Sequence, residues 1–404
     1  VLLFKLAWRN IWRNTRRTLI TVLSLTLGVT AIVLLHSYRE AATVEMVGGI
    51  TRGLLGSLQV HGRGYQDAPD MANVVADPGA VRAALRGTLP GAAIEARVVG
   101  AGLAGAGEKS AAAVVLGVEP AAAGMLFTLE AGHALADAAN REALVGSALA
   151  RELGVKPGDE LVLVGQAVDG SLANDRFTVA GLVDAGSSDA NGSTVALNIA
   201  DAQAFFGLGP GVHQIIVRLP GNDDEALAGE VALLRGALEL VRVEVLAWTE
   251  IMPEFKKTME MKARNQHVVD LIVFFIVALG VLNTMSMSTF ERTREFGVMA
   301  SLGTRPRRIL GMVVLESLLQ GLLGLALGVA IAWSVLHAYG TVDMSTMFKG
   351  DVMGLRMPTA VKLQVDPAAV VSAAVTALVT VLLGGFLPAL RASRLKPVEA
   401  SRYV

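Results

Sequence analysis

His61, His133 and His213 are the side chains in this sequence best suited to hold a metal or move a proton, but they are widely separated and share no ligand rhythm. The HExxH pattern, which sets two zinc ligands a helical turn apart, does not occur. The three are therefore expected to be ordinary surface or edge residues. Gly146-Ser147-Ala148 lacks the GxSxG frame that exposes a nucleophile at a strained turn. Asp184, Asp189 and Asn191, within DAGSSDANGS at 184–193, offer oxygens to calcium without EF-hand spacing, so a solvated loop is expected. GLAGAGEKS at 102–110 ends in Lys109-Ser110 as a phosphate-binding loop does, yet the GxxxxGKS spacing fails. With no cysteine, the chain has no thiol chemistry and no disulfide. No catalytic, cofactor-binding or metal-binding set is assigned, and the chain is not expected to be an enzyme by itself.

The polar residues that stand out lie in apolar surroundings. Glu316 and Gln320 are four apart and share a helix face. A carboxylate is costly in hydrocarbon, so Glu316 is expected to face protein or the headgroup zone. A proton pathway would need a relay that one acid does not provide. Gly324 and Gly328, with Gly321 a turn earlier, form a small-xxx-small surface that admits another helix closely. Asn283, Thr284 and Ser286 offer hydrogen bonds across their span. These residues either pack a helical bundle or line a subunit interface that opens during work.

Four long apolar runs must position them: Leu19 to Leu35, Val268 to Met287 with Asp270 and Asn283 inside it, Ile309 to Leu336, and Ala368 to Leu387. The first is near the lower limit for crossing a hydrocarbon layer of about 30 Å, a reach the arginines before it can extend by snorkelling, and the other three are long enough to span it as helices. No small-residue cleavage site follows Leu35, so the first run is expected to stay as a span. An apolar fraction of 53% beside 18% charged residues fits a hybrid of lipid-facing and water-facing parts. A net charge of -1 with no basic tail gives nucleic acid no foothold.

The expected fold is an α-helical transmembrane bundle of four spans with a large extracytoplasmic α+β domain between the first two. Residues 1–18 are expected as an amphipathic helix at the cytoplasmic face and 38–264 as the external domain. Spans are expected at 19–37, 265–289, 309–338 and 367–390, with a coupling link at 290–308, an external loop at 339–366 and a tail at 391–404.

Charge sets the direction. Lys5, Arg9, Arg13, Arg16 and Arg17 precede the first span without an acid. The link carries Arg292, Arg294, Arg305, Arg307 and Arg308 against Glu291 and Glu295, and the tail carries Arg391, Arg394, Lys396 and Arg402 against Glu399. The segment between spans 3 and 4 is balanced, with Lys349, Arg356 and Lys362 against Asp343, Asp351 and Asp366. The positive-inside tendency then places both termini and the link in the cytoplasm. Trp8 and Trp12 suit the inner interface, Trp333 and Tyr339 the outer one. FKLAWRNIWRNTRR is amphipathic, and either lies on an anionic leaflet or extends the first span.

In the external domain, strands are expected at Ser57–Val60, Ala112–Val118, Glu160–Val164, Arg176–Leu182, Thr194–Leu197, His213–Leu219 and Val241–Leu246. Helices are expected at Gly79–Arg86, Arg141–Leu153 and Asn222–Leu238, and a charged helix, Glu254–His267, leads into the second span.

The link STFERTREFGVMASLGTRPRRIL, 288–310, is too short for a catalytic domain but suits a docking surface: Glu291, Arg292, Arg294 and Glu295 alternate in charge, and Gly297 and Gly303 bracket an apolar patch. With AWRNIWRNTRRTLIT at 7–21, LGVEP at 116–120, ALVGSALARELGVKPGDELVLV at 143–164 and LPALRASRLKPVEA at 387–400, the chain resembles the permease subunits of the FtsX/MacB/LolC-LolE family of ABC transporters. The resemblance implies an inner-membrane permease that pairs with a second one, identical or homologous. It implies docking on a cytoplasmic ABC ATPase dimer, which holds the ATP and magnesium, through Glu291 to Gly303. Substrate, periplasmic or lipidated, would be expelled on the far side by mechanotransmission, with a carrier protein as a further partner. LGVEP and MPEFKKTMEMKARNQ are similar to the lipoprotein-releasing branch. Efflux of antibiotics or peptides, and a non-transport adaptor for a periplasmic hydrolase, are the alternatives.

Overall fold

The computed structural model describes residues 2–53, 55–220, 224–238, 241–343, 351–352, 355–356 and 360–393. Arg394, Lys396, Glu399 and Arg402 of the C-terminal segment, Lys349 of the external loop, and Asn222 and Asp223 of one expected helix start lie outside the described residues. The chain divides into two compact units, one of residues 1–43, 258–343 and 360–404 and one of 44–257 and 344–359.

Thr15–Thr51, Pro253–Glu291, Pro306–Ala338 and Pro367–Leu390 are helices long and apolar enough to cross a membrane, here called spans 1 to 4; all but residues 44–51 and 253–257 of them fall in the first unit. Asp366 caps span 4, its carboxylate accepting from the amides of Ala368 at 2.9 Å and Ala369 at 3.1 Å. Glycine sets the spacing between helices. A Cβ on Gly324 would lie 2.6 Å from that of Leu25, and one on Gly328 would lie 2.7 Å from that of Val29, so spans 1 and 3 approach as closely as backbones allow. Thr30 Oγ1 completes this contact by donating to the Gly328 carbonyl at 3.1 Å. Gly321 faces Val381 of span 4 in the same way.

The N-terminal stretch forms its own helix, Leu2–Arg13, rather than an extension of span 1. The break falls at Asn14, whose carbonyl accepts from the amides of Arg17 and Thr18 while Thr18 Oγ1 donates to the Ile11 carbonyl at 2.6 Å. Ala7 and Ile11 pack on Leu315 and Leu319 of span 3, leaving Phe4, Trp8 and Trp12 exposed along the opposite face.

The second unit is built on ten strands: β1 (Leu58–Gly62), β2 (Ala93–Ala106), β3 (Lys109–Val118), β4 (Thr128–Gly132), β5 (Glu142–Gly146), β6 (Glu160–Gln166), β7 (Leu172–Asp184), β8 (Thr194–Asn198), β9 (Gln214–Arg218) and β10 (Val243–Ala247). The pairings β2-β3-β8-β5-β7-β6 return to β2, so these strands close into a ring with no free edge. The other half of β2 pairs with β9, extending the sheet through β1 to β10. The helix Ile199–Phe206 lies on the ring, with the Phe206 ring directly over Gly100, where a Cβ would collide.

Several expectations are corrected. Arg141–Leu153 is not one helix: Glu142–Gly146 is β5, clamped between parallel β7 and antiparallel β8, and the helix begins at Ser147. The glycines at 102–110 lie in the β2–β3 hairpin, with Gly107 at φ 59° in its turn. Residues 184–193 are not an open loop, because Asp184 accepts from Asn191 Nδ2 at 2.9 Å and Asn191 accepts from the Ala185 amide at 2.6 Å, with a short helix over Ser188–Ser193. His61 and His213 are buried rather than surface or edge residues, while His133 is exposed.

Candidate functional site at the link between spans 2 and 3

The link folds as a helix, Thr293–Ser301, ended by Gly303 at φ 84°. The Gly303 amide donates to the Ala300 carbonyl and the Thr304 amide to that of Met299, the paired bonds of a Schellman stop. That is the use of Gly303, whereas Gly297 is buried on the inward face beside Phe296.

Glu316 of span 3 is 5% exposed and fully engaged: one oxygen accepts from Asn10 Nδ2 at 2.7 Å and the other from Arg292 Nη1 at 2.7 Å. Arg292 also donates through Nε to Glu295 at 3.1 Å and lies over the Phe296 ring at 5.1 Å. Glu295 is in turn paired with Arg13, and Glu291 with Arg17. Three arginines thus meet three glutamates across the N-terminal helix, the start of span 1, the link and span 3. The Glu295 carboxyl sits below its ordinary range: partial desolvation pushes it up, and the hydrogen bonds from Arg292 and Arg13 outweigh that.

Glu291, Arg292 and Glu295, read as docking charges, are each paired within the chain. The outward face of the link helix belongs to Arg294, Val298 and Leu302, the last 81% exposed, continued by Arg305 and Arg307. Asn10, Arg13 and Arg17, which the sequence shows only as part of a basic amphipathic stretch, also belong to this site. Gln320 lies within the bundle one turn beyond Glu316, and Gly324 and Gly328 face span 1. Asn283 is exposed on span 2 in line with Ile276, Leu279 and Met287. Thr284 does not reach across but donates to the Gly280 carbonyl of its own helix at 2.8 Å. Elsewhere in the same unit, Asp270 accepts from Gln266 at 2.6 Å and lies 3.0 Å from His36 Nε2, joining span 2 to span 1. No group of acidic, histidine or cysteine side chains suited to a metal occurs among the described residues.

The model of the MacB-like periplasmic core domain matches residues 18–233 and that of the FtsX-like permease C-terminal region matches 268–397. The chain belongs to the family of the MacB-like periplasmic core domain and carries an FtsX-like permease C-terminal region. This permease is 25% identical to the macrolide export ATP-binding/permease protein MacB of Hahella chejuensis over 98% of its own length and 59% of the relative's. It is 26% identical to the pyoverdine export ATP-binding/permease protein PvdT of Pseudomonas putida over 98% and 58%. The chain thus spans about three fifths of the length of these relatives. Among solved structures, the periplasmic region of MacB from Actinobacillus actinomycetemcomitans aligns at 14% identity and a TM-score of 0.36, covering 50% of this chain and 92% of that one. The lipoprotein-releasing branch is not singled out by any of these likenesses.

Proposed function

We propose that this permease works in an ATP-driven exporter of the inner membrane, with both termini and the link in the cytoplasm, and that it docks on an ABC ATPase through the outward face of the link helix. The observation that carries this is the division of the link into two faces. Glu291, Arg292 and Glu295 are occupied within the chain. Val298 and Leu302 are presented outward beside Arg294, an arrangement that on a monomeric surface leaves large apolar side chains in water. A partner suited to it has an apolar pocket rimmed by carboxylates, and that partner holds ATP and magnesium.

A second permease is proposed to pack on the outward stripe of span 2, where Asn283 sits among Ile276, Leu279 and Met287. An amide is costly against lipid tails and finds a partner in another helix. Movement of the link is proposed to pass along the span helices toward the core domain, which expels substrate. The names of MacB and PvdT favour export of a small molecule over lipoprotein release. Purification in nanodiscs with mass spectrometry of everything retained tests the reading. A co-retained ABC ATPase and an export partner support it; a lipoprotein carrier redirects the substrate; a peptidoglycan hydrolase without any ATPase overturns it.

A further inference from the structure

Where Arg17, Glu316 and the link come together, the six paired charges leave two polar atoms over. Gln320 Oε1 and Arg17 Nη1 are buried and have no hydrogen-bond partner among the described residues. Both side chains line one cavity of about 20 Å³, together with Asn14, Thr21, Thr284 and Ser288. Gln320 is 8% exposed, so bulk solvent does not satisfy it.

We infer that one ordered water is bound here, donating to Gln320 Oε1 and accepting from Arg17 Nη1. Size selects the ligand first, because a cavity of this volume admits a water molecule and is too small for a phosphate or a lipid headgroup. Charge selects it second. Arg13, Arg17 and Arg292 are balanced by Glu291, Glu295 and Glu316, so the cluster carries no net charge to neutralise with an ion. Chemistry selects it third: one unpaired donor and one unpaired acceptor call for a molecule that is both, and a lining of amide and hydroxyl groups keeps such a cavity wet. Water serves either orientation of the Gln320 amide, since it accepts as well as donates. The bridge would join the start of span 1 to span 3 beside the link, at the level where Asn10 and Arg292 grip Glu316. This site stands on the cavity and the unpaired atoms beside it and does not require an ATPase partner.

Electron cryomicroscopy of the full chain in lipid nanodiscs, at a resolution that shows ordered water, is expected to give one round density within hydrogen-bonding reach of both atoms. Gln320→Met keeps the side-chain length and removes the acceptor; it is expected to lose that density and to lower the melting midpoint by a few degrees. No density, or a tetrahedral or elongated one, would overturn the inference in the parent protein, whether or not the variant folds. A Met variant that keeps the density and the parent's midpoint would overturn it as well.

Discussion

Glu316 in span 3 and Arg292 in the link are joined at 2.7 Å, with the carboxylate buried and the guanidinium nearly so. The pair fixes the inward face of the link and thereby decides which of its residues remain available to a partner. Arg292→Leu leaves a carboxylate buried without its main counter-charge and is expected to cost about 3–5 kcal/mol. Replacing both by leucine is expected to cost much less, because two desolvated charges disappear together. A double-mutant cycle on thermal unfolding in detergent checks this, and equal losses in the single and double variants would contradict it.

Close packing of spans 1 and 3 rests on two glycines. Gly328→Ala places a methyl 2.7 Å from the Val29 side chain, and the separation of the helices must grow. A loss of about 1–3 kcal/mol is expected. Val29→Ala in the same chain removes only the γ-methyl groups and leaves the Val29 Cβ at 2.7 Å and the Thr26 carbonyl at 2.9 Å, so it is not expected to restore the melting midpoint.

The core domain should weaken in acid through His61. Its Nε2 lies 2.6 Å from Gln59 Oε1, Tyr65 stacks edge-on against its ring, and burial lowers its pKa from 6.5 to about 4 against the opposing pull of Glu244. Between those values the unfolded chain binds more protons than the folded one, so stability rises with pH there. The contribution, on the order of 3 kcal/mol, is whole above pH 6.5 and is lost as the pH falls through 4. His213, also lowered by burial, adds in the same direction. Hydrogen exchange of β1, β9 and β10 in the full chain at pH 7 and pH 5 measures the change; His61→Phe is expected to flatten it.

Glu95 is buried between Arg97 and Arg218, and Arg218 also donates to the Gly53 carbonyl at 2.9 Å. Glu95→Ala removes the carboxylate that both guanidinium groups share and is expected to destabilise the core domain by about 3–5 kcal/mol. Exchange at the paired strands β2 and β9 is the readout, and protection equal to the parent's would contradict it.

The spans were legible because lipid imposes one compositional rule on twenty residues at a time. The site was legible only in part. Arg13 and Arg17 pair with Glu295 and Glu291 at separations of 282 and 274 positions, so sequence exposes their charge but not their partners. β2 escaped because GLAGAG is poor strand material by propensity; its glycines serve contact instead, Gly100 beneath Phe206 and Gly102 beside the Val164 carbonyl. β5 was misread because EALVG continues into SALAREL without a break, and only its two sheet neighbours decide against a helix. His61 and His213 looked idle because burial leaves no local mark in a sequence.

Docking through the outward face of the link is tested most directly by the ATP hydrolysis of the co-purified ATPase in nanodiscs with Leu302→Asp in place of the parent chain. Leu302 touches none of the charges that hold the link in place and is 81% exposed, so the melting midpoint of the permease is expected to stay unchanged. Co-purification and stimulated hydrolysis are expected to fall at least tenfold, the equivalent of about 1.4 kcal/mol of lost docking energy. Undiminished stimulation by a stably folded Leu302→Asp chain would contradict docking through this face.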